Sequence, residues 1–60
     1  MEGKDKFIKV YSNLPIDIRK EIILLIEEKP ISWDVAYIEI EKETTLGKEI
    51  LRKLLELGFI

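Results

Sequence analysis

Ser32-Trp33-Asp34-Val35-Ala36-Tyr37-Ile38-Glu39-Ile40-Glu41-Lys42-Glu43 fits either a helix or a strand, and the two choices lead to different folds. As a helix it places Trp33, Ala36, Tyr37 and Ile40 at i, i+3, i+4 and i+7 on one face, with Ser32 as N-cap and Asp34 in the first turn. As a strand it alternates Ala36, Ile38 and Ile40 with Tyr37, Glu39 and Glu41, and the β-branched and aromatic residues between Val35 and Ile40 suit that reading. The helix leaves Val35 and Ile38 on the polar side. The strand would pair with residues 7–11 in a β-α-β-α unit, and so small a sheet is marginal unless a second chain extends it. Both readings stand on the sequence, and the helix is the preferred one.

Upstream, residues 15–29 read as a helix. Pro15 suits an opening turn, Asp17 lies where the macrodipole favours an acid, and Ile18, Ile22, Leu25 and Ile26 follow i, i+4, i+7 and i+8 spacing before Pro30. Phe7-Ile8-Lys9-Val10-Tyr11 is rich in β-formers and is followed by the turn-like Ser12-Asn13. Residues 1–14 are therefore expected to form a short strand or arm, ahead of a single compact helical domain over 15–60. Downstream, Leu46, Ile50, Leu54 and Leu57 share one helical face, Thr44 or Thr45 can cap its start, and Gly58 can end it. Gly47, in the first turn of that helix, would allow close approach of another backbone or a ligand. The expected fold is mainly α, a three-helix helix-turn-helix-like domain with a short N-terminal strand or arm. The alternative is an α+β protein, a β-α-β-α unit dimerising through its sheet.

Composition bounds the function. Sixty residues allow one domain with little room for an enclosed active site, and 47% apolar content argues against disorder. The absence of Cys and His removes disulfides, thiolate nucleophiles, imidazole bases and the usual zinc ligands. Ten basic residues against twelve acidic give no bulk positive field, so binding to an anion must come from a local patch. The first six residues are rich in charge and the longest apolar run, 22–26, is far too short to span a bilayer, so a cytoplasmic protein with no membrane partner is expected. Abundant Ile, Lys and Glu without Cys resembles the usage of proteins from hot environments.

Two stretches carry a family resemblance. Ile18-Arg19-Lys20-Glu21-Ile22-Ile23-Leu24-Leu25-Ile26 is similar to the first helix of small arsenic-sensor-type and multiple-drug-resistance-type repressors. Leu51-Arg52-Lys53-Leu54-Leu55-Glu56-Leu57-Gly58-Phe59-Ile60 resembles the tail of their recognition helix. Between them, Ile31-Ser32-Trp33-Asp34-Val35-Ala36 looks like the start of the positioning helix, with Ala36 at the helix crossing. The chain thus resembles the winged-helix class of helix-turn-helix DNA-binding domains, in a minimal and wingless form. Three features depart from that pattern: Glu41-Lys42-Glu43-Thr44 lacks the usual turn glycine, no wing hairpin follows Gly58, and residues 27–43 hold six acids against two bases. The resemblance implies a transcriptional regulator whose third helix enters the major groove of double-stranded DNA, with Thr44, Thr45, Lys48 and Arg52 toward the duplex and Lys53 at most on the backbone. Lys and Arg would neutralise phosphates, and Arg can also read guanine.

Other constellations carry less. Glu39, Glu41 and Glu43 would share a face only in a strand, and no glycine-bearing calcium loop, phosphate loop or catalytic triad is present, so no catalytic residue, metal or cofactor is expected. Trp33 and Tyr37, one turn apart, could stack a base, but their spacing equally suits a core. The run Ile22-Ile23-Leu24-Leu25-Ile26 is apolar over more than half of a helix circumference and so requires burial on a second side. Ile23 and Leu24, with Phe59 and Ile60, are therefore expected to form the interface of a homodimer, built through the first helix or by pairing the N-terminal arms, with Phe7, Ile8 and Val10, across a two-fold axis. A non-catalytic protein-protein interaction or oligomerisation module, using the same surface on another protein, is the alternative function.

Overall fold

Residues 33–41 fold as a helix because Ser32 starts one: its backbone is extended and its Oγ accepts the Val35 N–H at 3.1 Å. The computed structural model describes residues 1–60. It runs α1 (Lys4–Ser12), a 3-10 turn (Ile18–Lys20), β1 (Ile22–Ile26), β2 (Lys29–Ser32), α2 (Trp33–Glu41) and α3 (Thr45–Leu57). The result is a small α+β arrangement of three helices and a two-stranded antiparallel hairpin. Helix α2 buries Trp33, Ala36 and Ile40, and exposes Val35 and Ile38 as its helical spacing requires. Helix α3 begins at Thr44, whose Oγ1 accepts the Gly47 N–H at 2.9 Å. It ends where left-handed Gly58 (φ 77°) lets the Phe59 N–H reach the Leu54 carbonyl at 3.0 Å, a Schellman closure.

Two expectations are corrected. Residues 15–29 do not form a helix: after the 3-10 turn, Glu21 turns extended (φ −75°, ψ 143°) and residues 22–26 become β1. The run of five apolar residues fits a short strand as well as a helix, and three β-branched isoleucines favour the strand. Pro30, expected to stop a helix, sits in β2 opposite Leu25. What concealed the hairpin is its turn, because Glu27 (φ 49°) and Glu28 (φ 70°) both take left-handed conformations that normally call for asparagine or glycine. The second correction concerns residues 4–12, which are a helix rather than a strand or arm. Phe7, Tyr11 and Leu14 lie at i, i+4 and i+7, and burying Phe7 completely outweighs the β preference of its neighbours. The β-α-β-α alternative falls for the same reasons, since neither of its strands exists.

One core joins all the elements: Phe7 from α1, Ile26 and Ile31 from the hairpin, Trp33, Ala36 and Ile40 from α2, and Ile50, Leu51 and Leu54 from α3. An aromatic ladder locks α1 to α2, with Phe7 5.9 Å from Trp33 and Tyr11 stacked on Tyr37 at 4.4 Å. The Arg19 guanidinium lies over the Tyr11 ring at 4.4 Å, and the Tyr11 hydroxyl donates to Asp34 Oδ1 at 2.5 Å. That hydrogen bond to a carboxylate, followed by burial, raises the Tyr11 pKa above its ordinary 10.0. The accessible surface of 4098 Å² matches the roughly 4,100 Å² expected of a compact chain of this mass.

Candidate functional site

The outward face of α3 is set by what its inward face must do. Gly47, Ile50, Leu51 and Leu54 are buried, which leaves Thr45, Lys48 and Arg52 exposed at i, i+3 and i+7. Only three residues, 42–44, separate α2 from α3. The two helices cross so closely at Gly47 that a Cβ there would lie 2.2 Å from the Glu39 carbonyl oxygen and 2.5 Å from its carbon. No other residue fits, so the crossing fixes the direction in which α3 presents Lys48 and Arg52.

The turn itself is held by polar contacts. Glu43 takes the left-handed conformation (φ 53°) for which a glycine would be the usual residue. Its carboxylate receives Lys4 Nζ at 3.0 Å, and the same ammonium reaches the Glu41 carbonyl at 3.4 Å, tying the start of α1 to the end of α2. The Lys4 hydrogen bond holds the Glu43 carboxyl below its ordinary 4.5, and in return raises the Lys4 pKa above 10.5.

The four candidate contact residues are therefore not equivalent. Thr44 is spent on structure: besides capping α3, its hydroxyl donates to Glu39 Oε1 at 2.6 Å. Thr45 is exposed, Lys48 is exposed without an ion pair, and Arg52 is exposed but paired with Glu56 one turn on. Lys53 is half-buried at the flank. Lys48 and Arg52 line a shallow cavity of about 200 Å³ with Leu51, Leu55, Met1 and Glu2.

Trp33 lies in the core and Tyr37 is stacked on Tyr11, so the pair does not form an open platform. Glu39 and Glu43 are engaged by Thr44 and Lys4, and no three acidic side chains converge as metal ligands. Of the four interface candidates, Ile23, Leu24 and Ile60 are half-buried against the core, and Phe59 is 48% exposed. More open apolar residues are Ile16 (69%), Leu25 (64%), Leu57 (60%) and Ile22 (56%); Ile22 and Leu25, expected on one face of a helix, are exposed because they lie in a strand instead. Lys4 was invisible in the sequence, lying 39 residues from its partner Glu43. Compared with the profiles of known protein families, with curated proteins and with solved structures, the chain matches none.

Proposed function

We propose that this protein is a small helix-turn-helix-type DNA-binding protein, in keeping with a role in transcriptional regulation, with α3 as the helix that enters the major groove. The observation that carries the reading is the outward row Thr45, Lys48 and Arg52 on a helix whose direction is fixed by a three-residue turn and the Gly47 crossing. Left-handed Glu43 supplies the sharp turn that the missing glycine left unexplained in the sequence. Lys48 and Arg52 are the charged contacts, and Thr45 supplies a hydroxyl and a methyl at the helix start. Thr44 acts through the cap rather than by touching DNA.

Two cations per chain imply weak, salt-sensitive binding. Neutralising two phosphates gives a slope of log K against log salt of about −2, a loss of roughly tenfold between about 50 and 200 mM salt. A dimer doubles that slope. Titrating a mixed-sequence duplex into the protein at several salt concentrations tests the reading: Lys48→Glu and Arg52→Glu should each weaken binding, while Lys6→Glu on α1 should leave it largely unchanged. Absence of binding by the unaltered protein at low ionic strength would remove the DNA role.

A second reading is favoured by a separate observation. Ile22, Leu25, Leu57 and Phe59 are each about half exposed or more on a chain that is already compact. A protein-protein interaction module would use these residues and leave the acidic residues 27–43 in water. Stable co-purification with a partner that covers Leu25 and Phe59 distinguishes it.

A further inference from the structure

The two edges of the hairpin are not alike. A two-residue turn makes Ile26 and Lys29 the pair that exchanges hydrogen bonds, and antiparallel alternation then directs the backbone groups of the next pair, Leu25 and Pro30, away from each other and out of the sheet. On β2 that outward position is a proline, with no N–H to offer, and it is flanked by Lys29. A proline and a lysine are the means by which proteins close a strand edge to further pairing. On β1 the outward position is Leu25, in a five-residue strand that holds no charge and no proline. No backbone hydrogen bond from the turns, loops or caps reaches residues 22–32, so the outward backbone groups of this edge have no main-chain partner.

We propose that a second copy of the chain completes this edge, β1 pairing antiparallel with β1 of its partner about a two-fold axis at Leu25. The register follows from the faces. Cross-strand partners share a face: Leu24 lies opposite buried Ile31 on the core side, and Leu25 opposite Pro30 on the outer side. An axis at Leu25 sets Leu25 against its own counterpart on the outer face and Leu24 against Ile26 on the core face. The outward N–H and C=O of each Leu25 then meet the C=O and N–H of the other. An axis at Leu24 would instead set Leu25 against Ile23, where the β-bulge between Ile22 and Leu24 breaks the alternation.

The occupant is a second copy because the strand is its own complement: every pair in the continuous register is apolar on apolar, and the symmetry satisfies both free backbone groups at once. Joining two hairpins also makes a four-stranded sheet from two that are marginal alone. With the axis at Leu25 the two strands overlap over residues 24–26, about 10 Å, which covers only a small part of the ~800 Å² per partner that stable interfaces bury, so the dimer is weak and concentration-dependent. This association differs from a helix-mediated one. It stands apart from the DNA reading, which uses the other end of the molecule's sequence.

Sedimentation and backbone amide exchange over a protein concentration series test it, on the unaltered chain, on Leu25→Lys, and on a synthetic chain with N-methyl-leucine at position 25. Leu25 is 64% exposed, so both variants keep the monomer fold, which their NMR spectra verify. Dimer formation by the unaltered chain with a dissociation constant of order 100 μM, at least about tenfold weaker association in both variants, and a Leu25 amide that exchanges more slowly as concentration rises are the expected results. A monomer at about 1 mM, or a dimer that survives both variants, overturns the proposal. The first outcome leaves the edge to a foreign strand or to none, and the second places the contact elsewhere, as at Phe59 and Ile60. Duplex DNA added to Leu25→Lys separates the two readings, because shifts confined to α3 would keep the DNA role whatever the oligomeric state.

Discussion

Replacing Gly47 by alanine sets two effects of opposite sign against each other. In an unconstrained helix Gly→Ala stabilises by about 1 kcal/mol, because alanine loses less backbone freedom on folding. Here the added Cβ would lie 2.2 Å from the Glu39 carbonyl oxygen, whereas ordinary contact begins near 3.4 Å, so α2 and α3 must separate by about 1.2 Å. The obstacle is backbone and cannot rotate aside. Overpacking of this kind costs about 1–3 kcal/mol and sits at the upper end or beyond when the backbone must move, with further loss where Ala36 and Ile40 pack with Ile50, Leu51 and Leu54. The net expectation is a loss of about 2–3 kcal/mol, a large part of the roughly 3–9 kcal/mol available to a chain of this length. Thermal unfolding followed by circular dichroism should show a fall in Tm of roughly 10–20 °C. Gly58→Ala is the control, since a Cβ there meets nothing within 4 Å and only the left-handed φ of 77° is penalised, by about 1 kcal/mol. A Gly47→Ala protein as stable as the original, or more stable, would refute the close crossing and with it the fixed presentation of α3.

Four further outcomes follow from named contacts. Glu27→Asn with Glu28→Gly should raise stability by about 1–2 kcal/mol in chemical denaturation, because both positions are left-handed and the replacements remove that strain. The Lys4–Glu43 pair should stabilise between two limits: Glu43 contributes above about pH 4.5 and loses its contribution as pH falls through its lowered pKa, while Lys4 contributes below about pH 10.5 and loses it as pH rises through its raised one. Lys4→Met should therefore lower stability inside that window and flatten its fall at both limits when unfolding is measured across the range. Lys48→Glu should weaken duplex binding and reduce the salt slope by at least about one unit, measured by fluorescence titration. Leu25→Lys should weaken self-association at least about tenfold in sedimentation without altering the folded spectrum.

The parts of the fold legible in the sequence are those written in local signals. Ser32 and Thr44 as caps, Gly58 as a stop and the 3.6-residue spacing of α2 and α3 act within one or two turns, and the structure uses each of them. The hairpin was not legible because its turn residues, Glu27 and Glu28, carry no turn signal and its apolar run satisfies helix and strand alike. Helix α1 was hidden because Phe7 and Tyr11 favour strands locally and become helical through contacts with Trp33, Tyr37 and Asp34 more than twenty residues away. At the candidate site, the helix-turn-helix resemblance pointed to Thr44, Thr45, Lys48 and Arg52, of which Thr45, Lys48 and Arg52 are exposed on α3. It gave no sign that Thr44 would be consumed by its cap and by Glu39, or that Lys4 would hold Glu43 in its left-handed turn.

Whether the outward face of α3 meets duplex DNA is decided by an NMR titration of the isotope-labelled chain with a mixed-sequence duplex. At low salt the backbone shifts should gather at Thr45, Lys48 and Arg52, spare the hairpin and α1, and recede as salt is raised to about 150 mM. An unchanged spectrum at low salt, or shifts centred on β1 rather than α3, would contradict that contact.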